Sequence, residues 1–128
     1  MSDPDKKTII SMDSRKLKSV GLLGRKGLLV VLSPNLFGVS CVVDKPAIVV
    51  GRHSECDLAL NDPLLSRKHC SVTVDANGDF FLQDLNSTNS TFLNSKKLLE
   101  KTRLHYGDRI ILGDTILRFY IEEEIERK

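Results

Sequence analysis

The sequence has no long hydrophobic run. Its longest uninterrupted apolar stretch, Leu28 to Leu32, falls far short of the roughly 20 residues a membrane helix needs. No charged-then-apolar leader follows Met1, so the expectation is a soluble, cytoplasmic protein without a membrane partner. Cysteine is scarce: Cys41, Cys56 and Cys70 are an odd set without a CxxC pair, which argues against a disulfide framework and for reduced thiols. A large excess of one charge is also missing. The formal net charge is +2, and the basic excess sits before residue 27, where seven Lys/Arg face three Asp. The stretch 27–120 holds ten of each sign, so a nucleic-acid surface, which needs a basic stripe on the folded part, is disfavoured.

Catalytic and metal-binding patterns are incomplete. Ser66, His69 and Asp84 are the residue types of a hydrolase, but no G-x-S-x-G elbow is present. His53, Cys56, His69 and Cys70 are zinc-ligand types. Neighbours on a strand point to opposite faces, however, so His69 and Cys70 do not readily share one ion. The expectation is a protein that is not an enzyme and holds neither cofactor nor metal.

What is present is a series of short apolar or alternating runs between turn signals. With 128 residues, 41% hydrophobic and 28% charged, the chain suits one domain with one core. Leu28 to Leu32, Val39 to Val43 and Ala47 to Val50 read as strands, separated by Ser33-Pro34-Asn35 and Asp44-Lys45-Pro46. Cys70, Val72 and Val74 alternate with polar residues, Asn77-Gly78 reads as a tight hairpin turn, and Phe80 to Leu85 returns. Ile110 to Leu112, Gly113-Asp114 and Ile116 to Ile121 repeat the pattern, with Leu117, Phe119 and Ile121 on one face. Without a long 3.6-residue period, these runs indicate an all-β fold of antiparallel sheets packed as a sandwich. Residues 1–26 read as a flexible basic tail, 27–121 as the domain, and 122–128 as the start of a helical linker.

Three polar clusters fall at strand ends: Gly51-Arg52, Ser66 to His69, and Asp84 to Thr91. Loops at one end of a sandwich lie near one another and can form one recognition surface. Arg52 supplies a fork of donors, Ser66 and Thr88 supply hydroxyls, Asn89 supplies a donor and an acceptor, and Asp84 is the one carboxylate nearby. That inventory suits an anion beside peptide backbone.

In these motifs the sequence resembles the forkhead-associated family, whose pattern runs Gly-Arg, Ser-x-x-His, then Asp-Leu-x-Ser-x-Asn-Gly-Thr, an apolar pair and Asn-Gly. Here these are Gly51-Arg52, Ser66 to His69, Asp84 to Thr91, and Phe92-Leu93-Asn94. The resemblance implies an eleven-stranded sandwich that binds a phosphothreonine-containing protein or peptide. It places Arg52 and Ser66 on the phosphate, Arg67 beside it, Thr88 in support and Asn89 on the peptide backbone. Gly51, His69 and Asp84 would be structural, with His69 bracing the loops from below. Two family glycines are replaced by Ser90 and Ser95, which predicts side chains at positive φ and a slightly displaced Asn89 loop. The rival expectation is a phosphate-independent assembly module on the same fold. By family analogy the chain would regulate a larger signalling protein, such as a nucleotide cyclase or kinase. Phosphorylated Thr8 in the tail is a further candidate ligand for the domain's own loops.

Overall fold

An uninterrupted apolar run and an alternating one both become alternation in burial. In a computed structural model that describes residues 25–122, β1 (Gly27–Val31) and β11 (Thr115–Ile121) bury every second residue. Leu29, Val31, Leu117, Phe119 and Ile121 are inside, while Leu28, Val30, Arg118 and Tyr120 lie half-buried on the other face. The remaining strands are β2 (Ser40–Val43), β3 (Ala47–Gly51), β4 (Leu58–Ala59), β5 (Cys70–Val74) and β6 (Phe80–Asp84). They are followed by β7 (Phe92–Leu93), β8 (Lys96–Lys97), β9 (Thr102–Arg103) and β10 (Arg109–Leu112).

These strands form two packed sheets, one of six strands in the order β2-β1-β11-β10-β7-β8 and one of five in the order β9-β6-β5-β3-β4. The core between them is aliphatic, with one edge-to-face ring pair, Phe80 and Phe119, at 5.1 Å between centroids. Fully burying a Leu, Ile or Phe contributes about 1.5–3 kcal/mol, so this core holds the loops on a rigid base.

The pairing is antiparallel as expected, except for β3 and β4, which run parallel. Since β4 has two residues, the loop 52–57 can turn the chain back without a long crossover. Asp57 anchors that return by accepting the Val49 N–H at 2.8 Å.

The two hairpins differ from one another. The expected Asn77-Gly78 turn is a three-residue loop in which the Gly78 N–H donates to Asp75 O and the Asp75 N–H to Asp79 O, with Gly78 at φ 82. Gly113-Asp114 is a two-residue loop with Gly113 at φ 57, where an added Cβ would also meet Asp62 Oδ2 at 2.8 Å. At the ends of the described residues, the Arg25 guanidinium lies 6.0 Å from the Phe80 ring centre, and Lys26 O accepts the Glu122 N–H. Thr8 with the rest of 1–24, and residues 123–128 of the helical start expected over 122–128, lie outside the described residues. Among the described residues no helix is long and apolar enough to cross a membrane.

Candidate functional site

The register places Val50 opposite Cys70 and Cys70 opposite Asp84, so β3, β5 and β6 bring the three polar clusters to one end of the five-stranded sheet. Loops 52–57, 60–69 and 85–91 meet there. Gly51 is required because a second backbone crosses it: an added Cβ would lie 2.1 Å from Arg67 O and 2.8 Å from its carbonyl carbon. The crossing is stitched by the Arg52 N–H to Ser66 O at 3.0 Å and the His53 N–H to Arg67 O at 3.2 Å.

Arg52 is exposed, and its Nε donates to Leu65 O at 3.1 Å. That bond aims the guanidinium while leaving its terminal amino groups for a ligand. Among the described residues no carboxylate forms an ion pair with Arg52, Arg67 or Lys68. Ser66 Oγ accepts the Thr88 N–H at 3.0 Å, so its own proton can still be donated. Asn89 Nδ2 donates to Leu64 O at 2.8 Å, joining the third loop to the second and leaving the Asn89 carbonyl available. The structure thus brings Arg52, Ser66, Thr88 and Asn89 together, with Arg67 exposed beside them.

Beneath this rim, His69 is fully buried. Its Nδ1 accepts the Ser66 N–H at 3.1 Å, and its Nε2 meets Ser90 O at 2.8 Å. An imidazole between a donor and an acceptor is neutral, with its proton on Nε2. The contact with Ser66 runs through the backbone N–H and not the hydroxyl, so the serine–histidine relay of a hydrolase is not formed. Asp84 accepts from the Ser87 N–H at 3.0 Å, the Ser87 hydroxyl, and the Thr91 hydroxyl at 2.7 Å. Burial pushes the Asp84 carboxyl up, but the Ser87 and Thr91 bonds outweigh it and hold the group below the usual carboxylate range.

The zinc-type residues are engaged otherwise. Cys56 Sγ donates to Arg67 O at 3.0 Å, and His53 Nδ1 accepts the Glu55 N–H at 3.0 Å. Burial pushes the Cys70 thiol up to about 12, opposing the thiolate that a metal requires. Ser90 and Ser95 lie at φ 67 and φ 73, as their replacement of family glycines predicts.

Three supports were given no role in the sequence reading, Thr91 and Asn94 although they lie in the family motif, and Asp62 because it lies outside it. Asp62 is buried, and it accepts the Leu64 N–H at 2.9 Å, the Asp114 N–H at 2.8 Å and the Thr115 hydroxyl at 2.8 Å. Burial raises its pKa, but these bonds outweigh that and hold it below the ordinary value. Asn94 bridges β7 to β10: its side chain accepts the Arg109 N–H and donates to Asp108, both at 2.9 Å. Thr91, fully buried, is the third. For Asp62 the available signal was the Asp62-Pro63 pair, since an Asp that bonds the amide two residues on initiates turns.

Comparison with known proteins agrees with this geometry. A family model described as the FHA domain matches residues 48–113. The oxoglutarate dehydrogenase inhibitor of Corynebacterium efficiens is 34% identical over 92 residues, covering 72% of this chain and 63% of that protein. The glycogen accumulation regulator GarA of Mycolicibacterium smegmatis is 31% identical over 99 residues, covering 77% and 61%. The chain therefore spans somewhat under two thirds of the length of these relatives. A solved FHA domain, studied for phosphothreonine-dependent interactions, superposes with a TM-score of 0.67 at 26% identity over 74% of this chain and 95% of its own. With the matched region spanning β3 to the β10–β11 turn and all three loops, the chain belongs to the FHA domain family.

Proposed function

We propose that the loop end binds a phosphothreonine-containing segment of a protein partner. The observation that carries this reading is Arg52, exposed, aimed by Leu65 O and without a carboxylate counter-ion among the described residues. A guanidinium held this way suits a phosphate dianion, to which it can donate two parallel bonds. Ser66 Oγ–H adds a second donor, Thr88 a hydroxyl on the rim, Arg67 further positive charge, and Asn89 a group for the peptide backbone. The FHA domain characterised for phosphothreonine-dependent interactions supports the choice of ligand. The chain then acts by binding, as the regulatory domain 27–121 of a cytoplasmic signalling protein.

Calorimetric titration with matched phosphothreonine, phosphoserine and unmodified peptides tests this. The phosphothreonine peptide should bind most tightly. Arg52→Ala should weaken it by about 1.5–3 kcal/mol, or roughly ten- to 150-fold. Affinity should also fall below about pH 6, as the phosphate takes up its second proton. Equal affinity for the unmodified peptide, or no loss in a folded Arg52→Ala protein, would point instead to a phosphate-independent assembly module.

A further inference from the structure

The two sheets have four edges, and three are protected. β4 and β9 have two residues each, with Arg103 on β9, and β8 consists of Lys96 and Lys97. Short edge strands and edge lysines are the usual devices against unwanted strand pairing. β2 has neither. It has four residues, and from Gly38 to Val43 the chain carries no charge and no proline. Phe37, Val39 and Val42 along it are 73%, 38% and 47% exposed.

The hydrogen-bond alternation shows which groups are open. The Val31 N–H donates to Val39 O, so Val31, Leu29 and Gly27 are the residues of β1 that bond to β2. Cys41 and Val43 therefore face inward to β1, and the backbone N–H and C=O of Ser40 and Val42 face outward. Among the described residues no strand lies beyond them.

We propose that this edge pairs with the same edge of a second copy, joining two six-stranded sheets into one antiparallel sheet across a two-fold axis. Within Ser40–Val43 one symmetric register pairs both outward residues, Ser40 with the partner's Val42 and Val42 with the partner's Ser40. It requires no charged side chain to face its own copy, which is what a lysine-bearing edge such as β8 could not offer. It sets the exposed Val39 opposite the partner's Val43 and the exposed Val42 opposite the partner's Ser40. Cys41 falls on the axis as a non-hydrogen-bonded pair, with Cα atoms about 4.5 Å apart, inside the range of about 4.4–6.8 Å that a disulfide accepts.

Sedimentation of the whole chain across a concentration series tests the pairing, with Val42→Lys and, as a second variant, Ser40→Lys. The chain should sediment as a dimer. Each lysine variant should weaken association by at least about tenfold, since a lysine on an edge strand opposes pairing and here lies diagonal to its own copy, while keeping the melting temperature of the dissociated chain. Under copper-catalysed oxidation by dioxygen, two Cys41 thiols should lose two protons and two electrons and form one intermolecular S–S bond. Peptide mapping should find that bond at Cys41 and lose it in Val42→Lys. A chain that stays monomeric, whether its edge is open or filled by its own residues 1–24, overturns the proposal, as does a dimer unaffected by both lysines.

Discussion

The two ends of the sandwich are held in different ways. At the end that carries the Asp75–Asp79 turn, the turns satisfy their own backbone, and the longer-range bonds, such as Arg103 to Asp79 and Asn94 to Asp108, are added from outside them. Asp75 Oδ1 accepts from the Asn77 and Asp79 N–H groups, and Asp108 Oδ2 accepts the His105 N–H. At the loop end the bonds bridge distant segments: Ser66 to Thr88, Leu64 to Asn89, His69 to Ser90 and Asp62 to Thr115. A turn that satisfies its own backbone forms wherever its sequence is placed, whereas the loop end takes shape only once both sheets have packed.

Substitutions should separate the ends by size of effect. Gly51→Ala is expected to cost most, above about 3 kcal/mol in chemical denaturation, because the crossing Arg67 carbonyl must move for any Cβ to fit. Normal stability would mean that the loops are not locked to β3. His69→Ala should cost about 2–3 kcal/mol by leaving the Ser66 N–H and Ser90 O unpaired in a buried place, and amide signals in loops 60–69 and 85–91 should shift together.

The carboxylates Asp62 and Asp84 extend the contrast to pH. Both have folded pKa values held below their ordinary value near 4. Their stabilisation is therefore present above about pH 4 and lost as pH falls through the lower folded values. Melting temperature should drop along that acid limb, and Asp62→Asn should flatten it. An unchanged limb would remove Asp62 from the account.

At the other end, Asp75→Ala should cost about 1 kcal/mol and leave the loop-end amide signals in place. Movement of those signals would show that the two ends are coupled after all. The smallest change is a gain: Ser90→Gly and Ser95→Gly should each add up to about 1 kcal/mol, because both residues occupy left-handed backbone. A loss in thermal melts would show that a serine side chain contributes more than its backbone strain removes.

The same division governs what could be read from the sequence. Alternation identified β5 and β11, a short apolar run identified β1, and the motif positions of Gly51, Ser66, His69 and Asp84 placed the loops, because these are patterns over a few residues. Asp62 could not be assigned, since its partners Asp114 and Thr115 are over fifty residues downstream. The parallel β3–β4 pair escaped for a related reason: two residues, Leu58 and Ala59, are too few to show any period.

The meeting of Lys26 and Glu122 has a consequence for how the domain is wired. The Glu122 N–H donates to Lys26 O at 2.8 Å, and Gly27 pairs with Ile121, so the polypeptide enters and leaves through one doorway. Thr115, at the other end of β11, lies under the loops beside Asp62, placing the doorway about 20 Å from the site at roughly 3.3 Å per strand residue. The domain can accordingly be plugged into a host loop or circularly permuted there without touching its recognition surface. Whatever is attached at 26 or 122 therefore joins the domain about 20 Å from the recognition surface, at the far end of β11 from Thr115.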